Sequence, residues 1–361
     1  MESKVRVLVV DDSLISRKYL RRILEESGKI EVIDTAKDGQ EAIEKIKSLK
    51  PDVVTLDIEM PRLNGLDALK IIMKDHPVPV IMVSSLTKDG AEETLQALRL
   101  GAVDYISKND VLSFKSAAKE ARQILIEKIL SAKNSRIRGR RLKAKATSII
   151  HKEKEEKPEE ISQGPKKKPE KLDIRVVAIA ASTGGPVALE KVFSELPLLG
   201  VPIMIVQHMP KTFTGVFANS LSKVSKIKVK EAEDGEELRS NQGYLAPGGM
   251  QMTASKSGSK YIVRVSDEPK TIYTPNANVM FKSVAETFGD KALCVIMTGM
   301  GDDGFKGLQE VARVGGTIIA QDKDSCVVWG MPRKPTQTGL ADFVVPLDKI
   351  ASTISKIVLG R

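Results

Sequence analysis

The stretch Ile174-Arg175-Val176-Val177-Ala178-Ile179-Ala180-Ala181-Ser182-Thr183-Gly184-Gly185-Pro186 decides the fold. Its apolar, β-rich part, 174–181, reads as a buried parallel strand. The strand stops at Ser182-Thr183, and Gly184-Gly185-Pro186 opens a helix. Pro186 suits the first turn, where a missing N–H costs nothing. A serine at the carboxyl end of a buried strand, facing a helix N-terminus, stands where open α/β sheets keep their sites. Two readings are open here. One is a nucleophilic serine; the other is a phosphate-binding βα turn, because any helix N-terminus favours anions. Neither G-x-G-x-x-G nor the full G-x-S-x-G elbow is present, since Ala180 stands where the elbow's first glycine would be.

Around this stretch lie 361 residues, enough for two domains of ordinary size. Hydrophobic content of 41% and charged content of 29% describe a globular chain. No run approaches the ~18 uninterrupted apolar residues of a membrane span, so no direct membrane insertion is expected. The first residues run straight into a strand without a signal-peptide pattern. Cys294 and Cys326 have no C-x-x-C spacing, which fits a reducing cytoplasm and no metal site in that half.

A net charge of +10 invites a nucleic-acid reading. The location of the charge argues against it. Residues 133–172 hold 14 Lys and Arg against 6 acids, which leaves the flanking segments close to neutral. That mixed-charge, aromatic-free stretch reads as a solvated linker, and no nucleic-acid partner is expected. The expected layout is a first domain at 1–132, the linker at 133–172 and a second domain at 173–361.

In the first domain, strands are expected at 4–10, 32–36, 53–56, 79–83 and 103–106. Helices are expected at 14–26, 40–49, 87–100 and, as one long element, 111–130. Five strand–helix alternations call for a doubly wound parallel sheet of the flavodoxin-like kind. Asp11, Asp12 and Asp57 all fall at strand carboxyl ends and can converge on one edge. Three carboxylates there repel one another unless a hard cation such as Mg²⁺ joins them. Asp57 would then accept a phosphoryl group, with Ser84 and Lys108 placed to hold it. The plainer alternative is an acidic rim.

The segments Val-Val-Asp11-Asp12-Ser13, Asp57-Ile-Glu-Met-Pro61, Asn64-Gly65, Val83-Ser84-Ser85 and Asp104-Tyr105-Ile106-Ser107-Lys108 resemble the receiver domain of two-component response regulators. That resemblance implies phosphorylation on Asp57, with Mg²⁺ held by Asp12 and Asp57 and assisted by Asp11. Tyr105 is implied as the switch aromatic. One departure is Asn109, where the family usually has proline, which puts a cis peptide after Lys108 in question.

In the second domain, strands are expected at 202–206, 227–229, 292–297, 316–320 and 342–345. Antiparallel pieces at 243–254 and 260–265 would be joined at Lys256-Ser257-Gly258. Helices are expected at 187–196, 213–224, 277–288 and up to Val314. The whole is a doubly wound, mostly parallel sheet with a β-hairpin insertion. His208 is this domain's sole imidazole, since His76 and His151 lie outside it. A lone histidine is usually structural, but Ser182, His208 and the Asp302/Asp303 pair each follow a buried strand. They can share one sheet edge, as a nucleophile, base and orienting acid require. N–H groups in the 183–185 and Met300 turns are candidate oxyanion donors. The aspartate pair can equally bind a metal or cap a turn, and position alone does not separate its two members.

The order Ser…His…Asp differs from those of the familiar hydrolase folds. It matches the catalytic domain of chemotaxis protein-glutamate methylesterase/glutamine deamidases. Ala-Ser182-Thr-Gly-Gly185, Val-Gln-His208-Met-Pro210, Ala246-Pro-Gly248, Met297-Thr-Gly-Met-Gly301-Asp-Asp303-Gly304 and Val328-Trp-Gly-Met-Pro332 carry the resemblance. It implies that Ser182 attacks the γ-methyl ester of a receptor glutamate, with His208 as base and Asp303 as orienting acid. Backbone N–H groups of Thr183 and Met300 would stabilise the oxyanion, without a cofactor in this domain. Implied partners are methyl-accepting chemotaxis receptors as substrate and a chemotaxis histidine kinase as phosphodonor. Ala180 and Gln251 depart from the family, which usually has glycine and histidine there. A DNA-binding output would need a helix-turn-helix after 132, and the βα pattern opposes it. A silent docking adaptor is disfavoured by the retained serine, histidine and aspartate.

Overall fold

The computed structural model describes residues 3–84, 88–112, 117–135 and 173–360. Most of the stretch read as a linker, from 136 to 172, lies outside them. The first sheet is built from β1 (Val5–Val10), β2 (Ile30–Ala36), β3 (Val53–Asp57), β4 (Val80–Ser84) and β5 (Asp104–Ser107). Between them run α1 (Leu14–Glu26), α2 (Gly39–Leu49), α3 (Gly65–Asp75) and α4 (Lys88–Arg99). After β5 come α5 (Lys108–Leu112) and α6 (Ala117–Lys133). The strand order is β2-β1-β3-β4-β5, parallel throughout, as the alternation predicts. Of the helix expected at 111–130, residues 111–112 end α5 and 117–130 lie in α6; residues 113–116 lie outside the described residues.

The second sheet opens with β6 (Val176–Ala181), α7 (Gly185–Glu195), β7 (Ile203–Gln207), α8 (Lys211–Val224), β8 (Lys228–Glu231) and β9 (Gln242–Leu245). A hairpin, β10 (Gln251–Ser257) with β11 (Lys260–Ser266), precedes α9 (Ala277–Phe288). The chain then runs through β12 (Ala292–Ile296), α10 (Phe305–Arg313), β13 (Thr317–Gln321), α11 (Arg333–Gln337), β14 (Phe343–Val345) and α12 (Leu347–Leu359). The strand order is β14-β13-β12-β6-β7-β9-β8, and each neighbouring pair is parallel. The segment expected as one antiparallel piece at 243–254 divides. Gln242–Leu245 joins β7 in the main sheet, and only Gln251–Ser257 pairs antiparallel with β11. Pro247-Gly248-Gly249 makes the break that periodicity did not register. The hairpin turn lies at Gly258-Ser259, closed by the Ser257–Lys260 pair.

β6 is fully buried along its length, as befits a central strand covered by helices on both faces. The chain leaves β6 toward β7 on one side and returns at β12 on the other. The strand order therefore reverses beside β6, and a crevice opens at that switch point. Glycine is required where α7 turns away from β6. A Cβ on Gly185 would lie 2.0 Å from Gln207 Oε1, so any larger residue evicts that side chain. Gly65 plays the matching part in the first sheet, where a Cβ would stand 2.0 Å from the Asp57 carbonyl oxygen.

The two sheets do not stand apart. One apolar cluster runs from Leu95, Leu98 and Tyr105 into Phe213, Phe217 and Ala188, joining the α4 side of the first unit to the α7/α8 face of the second. Arg99 closes the edge of this contact, donating to Glu190 at 2.9 Å and to Ser220 Oγ at 2.6 Å.

Candidate active site

Strand register brings the candidate residues together. Ala181 of β6 pairs with Gln207 of β7, so Ser182 and His208 stand side by side one step beyond. His208 Nδ1 lies 3.1 Å from Ser182 Oγ, and its Nε2 lies 2.8 Å from Asp303 Oδ2. An ionised carboxylate only accepts hydrogen bonds, so Nε2 carries the proton and Nδ1 offers its lone pair to the serine. The imidazole thus uses its nitrogens in the reverse sense to the chymotrypsin arrangement.

Asp303 is heavily supported. Its carboxylate accepts from Ala277 N (2.7 Å), Asn278 N (3.1 Å), Asn278 Nδ2 (2.6 Å) and Gly304 N (2.9 Å). The first two amides open α9, so the acid sits in that helix's positive end. Burial alone would raise its pKa. The bond from His208 and these N–H groups outweigh burial and hold it below the usual carboxylate range. Asp302 points elsewhere, exposed and paired with Lys334.

The turn that carries Ser182 is pinned by residues whose role the sequence does not mark. Gln207 Nε2 donates to the Ser182 carbonyl at 2.9 Å. Thr298 Oγ1 donates to the Thr183 carbonyl at 2.9 Å, and the Thr298 carbonyl accepts from Ser182 N at 3.0 Å. The backbone N–H groups of Thr183 and Met300 form no hydrogen bond among the described residues, and both residues are buried. Two free donors beside Ser182 are what an oxyanion requires. Gln207 and Thr298 lie inside the segments Val-Gln-His208-Met-Pro210 and Met297-Thr-Gly-Met-Gly301, and Asn278 outside them; only the folded register reveals their partners.

This row is roofed by the first unit. Ser182 is only 7% exposed. Asp104 Oδ2 accepts from the hydroxyl of Thr183, the residue after the serine. Tyr105 stacks on Phe213 with ring centroids 4.7 Å apart, and its own pKa is raised by burial and the nearby Asp104. Tyr273 lies over His208 with centroids 4.7 Å apart, and its hydroxyl reaches Glu127 of α6 at 2.9 Å. Val327 packs against the core of the first sheet.

The second cluster lies at the carboxyl edge of the first sheet. Asp11, Asp12 and Asp57 offer oxygens within 4.8 Å of one another. Lys108 Nζ reaches Asp57 Oδ2 at 2.5 Å and Asp11 Oδ2 at 2.8 Å. Burial pushes the Asp57 carboxyl up to about 6, Lys108 opposing and Asp11 adding to the shift. Burial would lower the Lys108 pKa, but the two carboxylates hold it above its ordinary value. One ammonium shared by converging carboxylates leaves surplus negative charge, and three hard oxygen donors at this spacing fit Mg²⁺. Ser84 is buried at the end of β4 with its hydroxyl 3.4 Å from the Gly90 carbonyl. The Lys108–Asn109 bond is trans; the cis bonds among the described residues are at Glu268–Pro269 and Thr274–Pro275. Ala180 is buried within β6, and Gln251 takes up hydrogen bonds to the 269–276 loop.

An acidic cluster at the strand ends of a receiver-type sheet, joined to a second α/β sheet carrying a Ser–His–Asp row, defines a response regulator with an enzymatic output. The comparisons with known proteins name the output. Residues 7–113 match the response regulator receiver domain and residues 177–354 match the CheB methylesterase. A Pyrococcus abyssi protein named protein-glutamate methylesterase/protein-glutamine glutaminase is 44% identical, covering 98% of this chain and 94% of its own. A Lawsonia intracellularis protein of the same name is 45% identical, covering 97% and 98%. The crystal structure of the Thermotoga maritima CheB methylesterase catalytic domain is 39% identical at a TM-score of 0.50. It covers 52% of this chain and all of that one. The chain belongs to the CheB methylesterase family.

Proposed function

We propose that this chain is a cytoplasmic, phosphorylation-controlled serine hydrolase that removes methyl groups from glutamate γ-methyl esters of chemotaxis receptors and deamidates receptor glutamines, giving sensory adaptation. The observation that carries it is the hydrogen-bonded row Ser182–His208–Asp303 lying beneath the receiver. Ser182 Oγ attacks the ester carbonyl while Nδ1 of His208 takes its proton. The oxyanion is met by the Thr183 and Met300 amides. The imidazolium, stabilised by Asp303, returns the proton to the leaving methoxide, and methanol departs. Water then repeats the sequence on the acyl-enzyme, leaving a glutamate carboxylate. With a glutamine side chain the same steps release ammonia.

Control follows from the roof. Asp104 and Tyr105 touch the catalytic unit and lie within four residues of Lys108, which pairs with Asp57. A phosphoryl group on Asp57, donated by a chemotaxis histidine kinase, draws on Lys108 and the Ser84 hydroxyl. The β5 segment and Tyr105 then rearrange, and the roof loosens. Mg²⁺ held by Asp11, Asp12 and Asp57 would offset their charge during phosphoryl transfer.

The test is methanol release from methylated receptor membranes by the full chain, with and without a small-molecule phosphodonor. Phosphodonor is expected to raise the rate ~5–150-fold, the span of a 1–3 kcal/mol coupling. Asp57→Asn should keep the resting rate and lose the rise. A rise that survives in Asp57→Asn would remove Asp57 as the acceptor. No methanol under any condition would end the esterase reading.

A further inference from the structure

The loop between β11 and α9 does more than connect them. Gln251, itself fully buried, donates to Pro269 O at 2.9 Å and Thr271 Oγ1 at 2.8 Å and accepts from Asn276 N at 2.9 Å. A buried amide with its donors and acceptor committed to one loop fixes that loop's course. The course sets Tyr273 flat on the catalytic imidazole, with the ring planes 6° from parallel. Stacking orients the phenol before any ligand arrives, so a bond formed by its hydroxyl carries little further ordering cost.

At rest that hydroxyl is engaged. It donates to Glu127 Oε2 at 2.9 Å, and the other carboxylate oxygen of Glu127 accepts from Gln123 Nε2 at 2.9 Å. A receiver helix thus presents a glutamate side chain, with a glutamine one turn away, to the phenol lying on the catalytic histidine. The chemistry proposed for this site acts on glutamate esters and glutamines of a protein. The resting contact has the composition of a product.

We propose that the Tyr273 hydroxyl is a substrate-positioning donor for a side-chain carboxylate or carboxamide oxygen of the incoming receptor segment, and that Glu127 fills its place as a product-like stand-in while the receiver is docked. The proposal rests on the esterase reading above. Burial first, and the Glu127 carboxylate next, raise the phenol's pKa, so it stays protonated and able to donate across the neutral range. Tyr273 touches substrate only through this bond and takes no proton from the serine. It is a determinant of binding and not of the chemical step.

The full chain tests this with Tyr273→Phe, which keeps the stacked ring, and Glu127→Ala, each assayed by methanol release from methylated receptor membranes. With phosphodonor, Tyr273→Phe should raise KM about fivefold, the loss of one hydrogen bond, and leave kcat within about twofold. Without phosphodonor, Glu127→Ala should raise the rate several-fold; with phosphodonor it should match the wild type. An unchanged KM in an otherwise active Tyr273→Phe enzyme overturns the positioning role. A Glu127→Ala chain as quiet at rest as the wild type overturns the stand-in. A wild-type chain inactive with phosphodonor overturns the esterase reading and this proposal with it, an outcome distinct from either.

Discussion

Asp303→Asn is expected to lower turnover by about four orders of magnitude, the effect of the corresponding change in a chymotrypsin-type triad. The reason lies in the proton inventory. Asp303 only accepts, so it keeps the proton on Nε2 and leaves Nδ1 basic toward Ser182, 3.1 Å away. An asparagine can turn its NH₂ toward Nε2 and trap the other tautomer, whose Nδ1–H cannot take the serine proton. The amide would also face the N–H groups of Ala277, Asn278 and Gly304 with a single oxygen in place of a carboxylate. Some stability should therefore be lost along with activity. Asp302→Asn gives the contrast. Its carboxylate is solvent-exposed and, among the described residues, paired only with Lys334, a surface pair worth little. Turnover should stay within about twofold, since nothing in the row depends on it. Turnover and thermal midpoint measured for both variants decide the matter, and the opposite ranking would transfer the orienting role to Asp302.

Ser182→Ala is expected to abolish methanol release down to the residue left by binding and oxyanion donors, ~10³–10⁴ above the reaction in water. The fold should survive. Among the described residues the side-chain hydroxyl makes one hydrogen bond, to His208, and the backbone bonds from Ser182 N to Thr298 and from Gly185 N to Ser182 remain. Circular dichroism and thermal midpoint should match the wild type. A folded variant that kept most of its activity would show that Ser182 is not the nucleophile.

The sequence was most legible where one residue type has one use. β6 is a continuous apolar run ended by Ser-Thr-Gly-Gly, and its burial as a parallel strand followed from that. Asp11, Asp12 and Asp57 were readable because strand ends share an edge. Asp303 could be separated from Asp302 only by family resemblance; in the structure Asp303 accepts from the first two amides of α9, while Asp302 faces solvent. The first strand of the hairpin was read too long because strand periodicity runs on through Pro247-Gly248-Gly249. The roles of Tyr273, Gln207 and Thr298 were hidden for another reason. Each acts through a partner at least 25 positions away in the chain, and an aromatic, an amide or a hydroxyl in isolation carries no marker of such a partner.

The hydrogen bond from Thr183 to Asp104 has a thermodynamic corollary. On the proposed mechanism the Ser182 edge holds the receiver or a receptor segment, but not both. Whatever factor phosphorylation contributes to opening that edge, a bound receptor segment must return to the receiver as a preference for its phosphorylated form. Affinity of Asp57 for beryllofluoride should therefore rise when methylated receptor is present, and equal affinity in both conditions would mean the two ligands do not compete. The enzyme's target would then help to set how long its own regulator stays switched on.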